Sequence, residues 1–189
     1  MEELLNELLF RLTNAKKVVF MGIGEQKLSD DGVGPYIISE LLNYSNNKYC
    51  FINVGINPMS RIEDIINFQA SHLVLIDTCT LNEPPGTVAL IERENIKNSV
   101  PISSHTIPIH IVIDLLNEKL PGLKVFMIGI VPESLEGFTE LNFYKANVYS
   151  LEDLNENVDL PFFEFNLTGT IQKVASQIID IIKKIMQKL

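Results

Sequence analysis

The segment MGIGEQKLSDDGVG, residues 21–34, sets two adjacent carboxylates, Asp30 and Asp31, on a glycine-flanked turn just after the apolar run Val18-Val19-Phe20. One aspartate there is what a turn or a helix cap asks for, because its side chain bonds free backbone amides. The second is not explained by local structure. Two further polar groups stand out: Asp77 closes the apolar run LVLID ahead of Thr78-Cys79-Thr80, and Ser103-Ser104-His105 leads into another apolar-periodic stretch. A carboxylate from the turn, Asp77 and His105 form a mixed oxygen and nitrogen set. Such a set suits a divalent transition ion such as nickel or zinc, with positions left open for water or a foreign ligand. Each residue also has a plain reading: Asp30 as a cap or turn former, Asp77 as a strand-ending turn residue, His105 as a cap or satisfied core group. The chemical reading gains from their shared location, since independent turn residues need not fall at one edge of a sheet.

That edge follows from the elements. Short apolar runs, rich in β-branched or aromatic residues, predict strands at 18–23, 51–54, 73–76, 88–91 and 125–128. Continuous apolarity is what a sheet covered on both faces produces. Helical spacing of Leu4, Leu5, Leu8, Leu9 and Leu12 predicts an opening helix, and further helical patterns cover 36–42, 61–68, 107–116 and 171–189. The alternation predicts a three-layer α/β/α sandwich around a mostly parallel twisted sheet of about five strands. The run at 88–91 follows its predecessor through a short Pro-Pro-Gly connection, which suits an antiparallel edge strand. Residues 132–168 show no clear period and read as an irregular excursion within one domain spanning 1–189. In such a sheet ligands bind beyond the carboxyl ends of the strands, where strand order reverses. Asp30-Asp31, Asp77 and His105 all belong to that edge.

Rival motifs fail on their own terms. A dinucleotide fingerprint needs a third glycine where Lys27 stands, and its helix would start earlier. The Gly-Lys-hydroxyl ending of a phosphate loop and the Gly-x-Ser-x-Gly elbow are absent. A Cys79–His105 nucleophilic pair stays open without a local motif behind it. Cys79 also reads as a small buried hydrophobe, while His72 and His110 read as structural.

With 189 residues, 46% of them hydrophobic, the chain has enough core for one soluble domain. Its net charge of −9 argues against nucleic acid or an anionic membrane as partner. Two cysteines, Cys50 and Cys79, are too few for a disulfide framework and fit a reducing cytoplasm. The amphipathic, initially acidic N-terminus is not a signal peptide, and no run approaches the length of a membrane span.

Taken in order, GIGEQKLSDDGVGP, VGINP, LVLIDTCTLNEPPGTV, SSHTIPIHIVIDLL and MIGIVPESLEG resemble the hydrogenase maturation endopeptidases. That family trims the C-terminal tail of the large subunit of nickel–iron hydrogenases, and the likeness is greatest to the branch serving hydrogenase 3 of formate hydrogenlyase. The resemblance implies an aspartic-type endopeptidase of the cytoplasm, a monomer, whose partner is the large-subunit precursor. It puts the catalytic and metal-contacting positions at Asp31, Asp77 and His105, with Asp30 shaping the turn. The nickel it implies belongs to the precursor, and zinc or cadmium would substitute in vitro. Glu25 departs from the asparagine usual in such proteins, and residues 139–166 form a longer segment than relatives suggest. Two other functions fit the same residues: a nickel-sensing checkpoint protein that binds the large subunit without cutting it, and a small-molecule hydrolase.

Overall fold

A computed structural model of the protein describes residues 1–99, 108–136 and 165–189. Helix α1 (Glu2–Leu12) leads into β1 (Val18–Ile23), α2 (Val33–Leu41), β2 (Tyr49–Gly55), α3 (Ile62–Phe68) and β3 (His72–Thr78). There follow β4 (Val88–Glu92), α4 (Arg93–Ser99), α5 (Ile109–Lys119), β5 (Lys124–Ile130) and α6 (Gly169–Lys188). The five strands form one sheet in the order β2-β1-β3-β5-β4. Strands β2, β1, β3 and β5 run parallel, and β4 pairs antiparallel with β5 at the edge. The predicted architecture is the one observed.

Every residue of β1 and β3 is buried because helices cover both faces. Successive side chains alternate between the faces. Phe20, Val74 and Ile128 meet Leu8 and Leu12 of α1, Ile37 and Leu41 of α2, and Ile178 and Ile182 of α6 in one apolar cluster. Met21, Leu75 and Met127 share the other cluster with Ile65 of α3, Ile96 of α4 and Val112 and Leu116 of α5. A fully buried Leu or Ile contributes about 1.5–3 kcal/mol, so these two clusters hold the helices onto the two faces of the sheet. Among the described residues no helix is long and apolar enough to cross a membrane.

Two differences from the expected elements have physical causes. Helix α4 was not foreseen because RENIKNS carries one buried apolar residue, Ile96, and one residue makes no period. Helix α2 starts at Val33, ahead of the expected 36, since its first turn packs through Gly34 and Pro35, which lie outside the apolar period. Of the predicted irregular excursion, residues 132–136 and 165–168 are neither helix nor strand. Residues 137–164, and with them most of 139–166, lie outside the described residues.

Candidate functional site

Strand order reverses between β1 and β3, whose neighbours lie on opposite sides. A crevice at their carboxyl ends is the expected ligand position in this topology. The chain leaves β1 at Gly24, where φ is +135°, a conformation that L side chains rarely adopt, and where a Cβ would sit 1.8 Å from the Asp31 carbonyl oxygen. It returns through a 3-10 turn, Ser29–Gly32, into α2. A Cβ on Gly34 would lie 2.3 Å from the Ile76 carbonyl oxygen and 2.5 Å from that of Ile23, so the start of α2 rests directly on both strands. This contact brings the aspartate turn down onto the end of β3.

Asp31 and Asp77 meet there. Asp31 is 3% exposed: its Oδ2 accepts the Glu25 N–H at 2.7 Å and its Oδ1 accepts the Thr78 hydroxyl at 3.0 Å. Asp77, 1% exposed, accepts the N–H of Thr78 on Oδ1 at 2.7 Å. Burial pushes the Asp77 carboxyl well above the usual carboxylate range, and the nearby negative charge of Asp31 pushes the same way. Hydrogen bonds from the N–H and the side chain of Thr78 oppose both. A divalent cation between these acids would remove the like-charge repulsion and offset the desolvation of both groups. The arrangement is therefore suited to receiving positive charge.

Asp30 does something else. Although fully buried, its carboxylate is saturated with donors. Oδ2 accepts the backbone N–H groups of Glu133 and Ser134, both at 2.9 Å, and the Thr168 hydroxyl at 3.1 Å, while Oδ1 accepts the Thr168 N–H at 2.7 Å. Its own N–H donates to the Ser134 carbonyl at 3.1 Å. The cap of α2 is Gly32, without a side-chain bond, so the helix-cap expectation for Asp30 is corrected: it anchors the exit of β5 and the start of α6. Thr168 in turn caps α6, accepting the Ile171 N–H at 3.4 Å. Ser29, held in the left-handed region at φ 48°, adds a bond from its hydroxyl to the Asn166 carbonyl at 3.0 Å.

The remaining candidates sort by environment. His105 lies outside the described residues, as do its flanking serines. Cys79 is buried, and its thiol is pushed up to about 11, first by burial and then by Asp77, so it carries no thiolate at neutral pH. Its burial and raised thiol favour Cys79 as a buried hydrophobe, while His105, the other member of a Cys79–His105 pair, is not among the described residues. His72 is buried at the opposite end of β3 with Nδ1 3.0 Å from the Ser71 hydroxyl, and His110 is half-buried in the first turn of α5. The half-buried Glu25 reaches the site through its N–H, its carboxylate accepting the Lys27 N–H at 3.1 Å. Among the described residues no group of three or more His, Cys, Asp or Glu is arranged to hold a metal ion. Thr78 was missed from sequence: it adjoins Asp77, but nothing local signals a hydroxyl partner 47 residues away.

Comparison with known proteins gives a consistent picture. The sequence pattern of the HycI family, described as hydrogenase maturation protease, matches residues 35–146, a stretch that includes Asp77 and His105 and begins beyond Asp31. A Methanocaldococcus jannaschii protein assigned as a hydrogenase maturation protease is 30% identical over 137 residues, which is 68% of this chain and 80% of the relative. The hydrogenase 3 maturation protease of Escherichia coli K12 is 24% identical over 74% of this chain and 85% of its own. Among solved structures, the Thermococcus kodakarensis nickel–iron hydrogenase maturation protease HycI superposes with a TM-score of 0.72 at 19% identity, covering 96% of this chain and 99% of the other. The Escherichia coli endopeptidase HycI does so with a TM-score of 0.64 at 19% identity over 87% of each chain.

Proposed function

The chain belongs to the hydrogenase maturation protease family, and on that premise we propose that it is an endopeptidase that removes the C-terminal extension of a nickel–iron hydrogenase large-subunit precursor once nickel is in place. The observation that carries the reading is the buried pairing of Asp31 with Asp77 at the switch point of the sheet, both in contact with Thr78. The nickel is part of the substrate. A precursor presenting a cation between the two carboxylates relieves their repulsion, whereas an empty precursor leaves it in full, so the acids discriminate loaded from unloaded client.

Peptide hydrolysis adds water across one amide: the water oxygen joins the carbonyl carbon, the C–N bond breaks, and the leaving nitrogen takes a proton. A carboxylate held against a donor on each oxygen, as Asp31 is, retains a lone pair on each for a water or an ion. Either acid, once ionised, can take the proton of an attacking water, and a cation on the scissile carbonyl lowers the barrier by polarising it. By family likeness His105 supplies the third contact. The two free cysteines, Cys50 and Cys79, support a cytoplasmic setting. The net charge of −9 supports a protein client over nucleic acid or an anionic membrane. We read the working unit as a monomer.

Cleavage followed by mass spectrometry tests the reading. Wild-type protein should shorten nickel-loaded precursor and leave nickel-free precursor intact, and Asp31→Asn, Asp77→Asn and His105→Ala should each abolish the cut. Normal processing by all three variants would sink the site. An unchanged precursor mass alongside nickel-dependent co-elution would replace the protease by a checkpoint binder.

A further inference from the structure

Thr78 lies where the two acids converge, and the assigned site has no role for it. It is the last residue of β3, its backbone fixed by pairing with Ile130 of β5, and it is fully buried. Its hydroxyl donates to Asp31 Oδ1 at 3.0 Å, and its N–H donates to Asp77 Oδ1 at 2.7 Å. One residue therefore holds a donor against each acid, and its own side chain is fully buried.

We infer that Thr78 is a positioning residue for the cleavage reaction, its buried hydroxyl fixing the rotamer of Asp31 relative to Asp77 so that both carboxylates face one ion or one water. The inference rests on the protease reading and deepens it. Hydrogen bonds from a second layer of residues orient metal-binding carboxylates, and their loss costs about 10- to 100-fold in affinity or activity. Three contacts define the geometry: the Thr78 hydroxyl on Oδ1 of Asp31, the Glu25 N–H on Oδ2, and the Thr78 N–H on Asp77. Removing the hydroxyl leaves, among the described residues, the Glu25 N–H on Oδ2 as the hydrogen bond to the Asp31 carboxylate, about which the carboxylate can turn. The Glu25 N–H, bound to the other oxygen, reports that rotation.

The discriminating variants are Thr78→Val, which deletes the hydroxyl at nearly constant shape in a buried strand, and Thr78→Ser, which keeps it. With nickel-loaded precursor as substrate, Thr78→Val should lower kcat by about 10- to 100-fold with KM changed no more than about twofold, and Thr78→Ser should recover most of the loss. The amide proton resonance of Glu25 should move upfield in Thr78→Val and return in Thr78→Ser. Should Thr78→Val fail to fold, Thr78→Ala against Thr78→Ser makes the same comparison, since both lack the methyl and differ in the hydroxyl. A kcat for Thr78→Val within about twofold of wild type with an unmoved Glu25 resonance overturns the inference, as does equal loss in Thr78→Ser. If the wild-type protein itself does not cut, the protease reading falls, and the Glu25 resonance alone decides the bridge.

Discussion

Asp30 and Asp31 are consecutive, both buried, and opposite in what their surroundings allow. The Asp30 carboxylate meets four donors from two distant loops. Among the described residues Glu25 and Thr78 donate to Asp31, Thr78 donates to Asp77, and the charge of Asp31 acts on Asp77. The contrast teaches how one turn serves two purposes. A carboxylate whose lone pairs are filled by backbone amides is an anchor. A buried pair under mutual repulsion is a receptor for positive charge.

The comparison breaks most visibly in activity. Asp77→Asn should cut cleavage of loaded precursor by more than about 10³-fold, as losing a group that acts within a catalytic unit does. Asp30→Asn should spare much more of it if the protein is assayed well below its melting temperature. Stability reverses the order. Asp30→Ala takes the acceptor from three part-buried N–H groups and a hydroxyl and should cost about 1–3 kcal/mol in denaturant unfolding. An Asp30→Ala protein as stable as wild type would show that the anchor is dispensable.

Asp77→Asn should have the opposite sign. Because the folded-state value of Asp77 is raised, first by burial and then by Asp31, its contribution is fully present below the ordinary carboxylate value of about 3.9 and is lost as pH rises through the folded-state value. The metal-free Asp77→Asn protein should therefore unfold at higher denaturant than wild type at neutral pH, with the gap closing toward about pH 4. Denaturant midpoints across that range check it. The smallest effect belongs to His72, at the far end of the same strand, whose value is lowered by burial and then by Lys124. Protonation is disfavoured in the folded state, so wild type should lose stability as pH falls below about 6.5, and His72→Gln should flatten that slope. A slope unchanged by His72→Gln would place the acid sensitivity elsewhere.

How much of this was written legibly in the chain depends on distance along it. The strands were readable because each is a short apolar run whose residues pack on both faces, and β4 was readable as an antiparallel edge from its Pro-Pro-Gly approach. Helix α4 was not, since Ile96 is its single buried anchor among described side chains. Asp31 and Asp77 converge as strand order and ligand-edge logic require. The anchor at Asp30 was illegible because its partners stand 103 to 138 residues away, in a region without period. Thr78 was half legible: its amide bonds its own neighbour, but its hydroxyl reaches across the sheet edge to the turn.

The central claim is that Asp31 and Asp77 work as one receptor. The most direct measurement is a double-mutant cycle on cleavage of nickel-loaded precursor by Asp31→Asn, Asp77→Asn and the double variant. Two acids gripping one ion predict that the double variant is hardly slower than the worse single one, because either loss already dismantles the unit. Losses that multiply would show two independent residues and contradict the account.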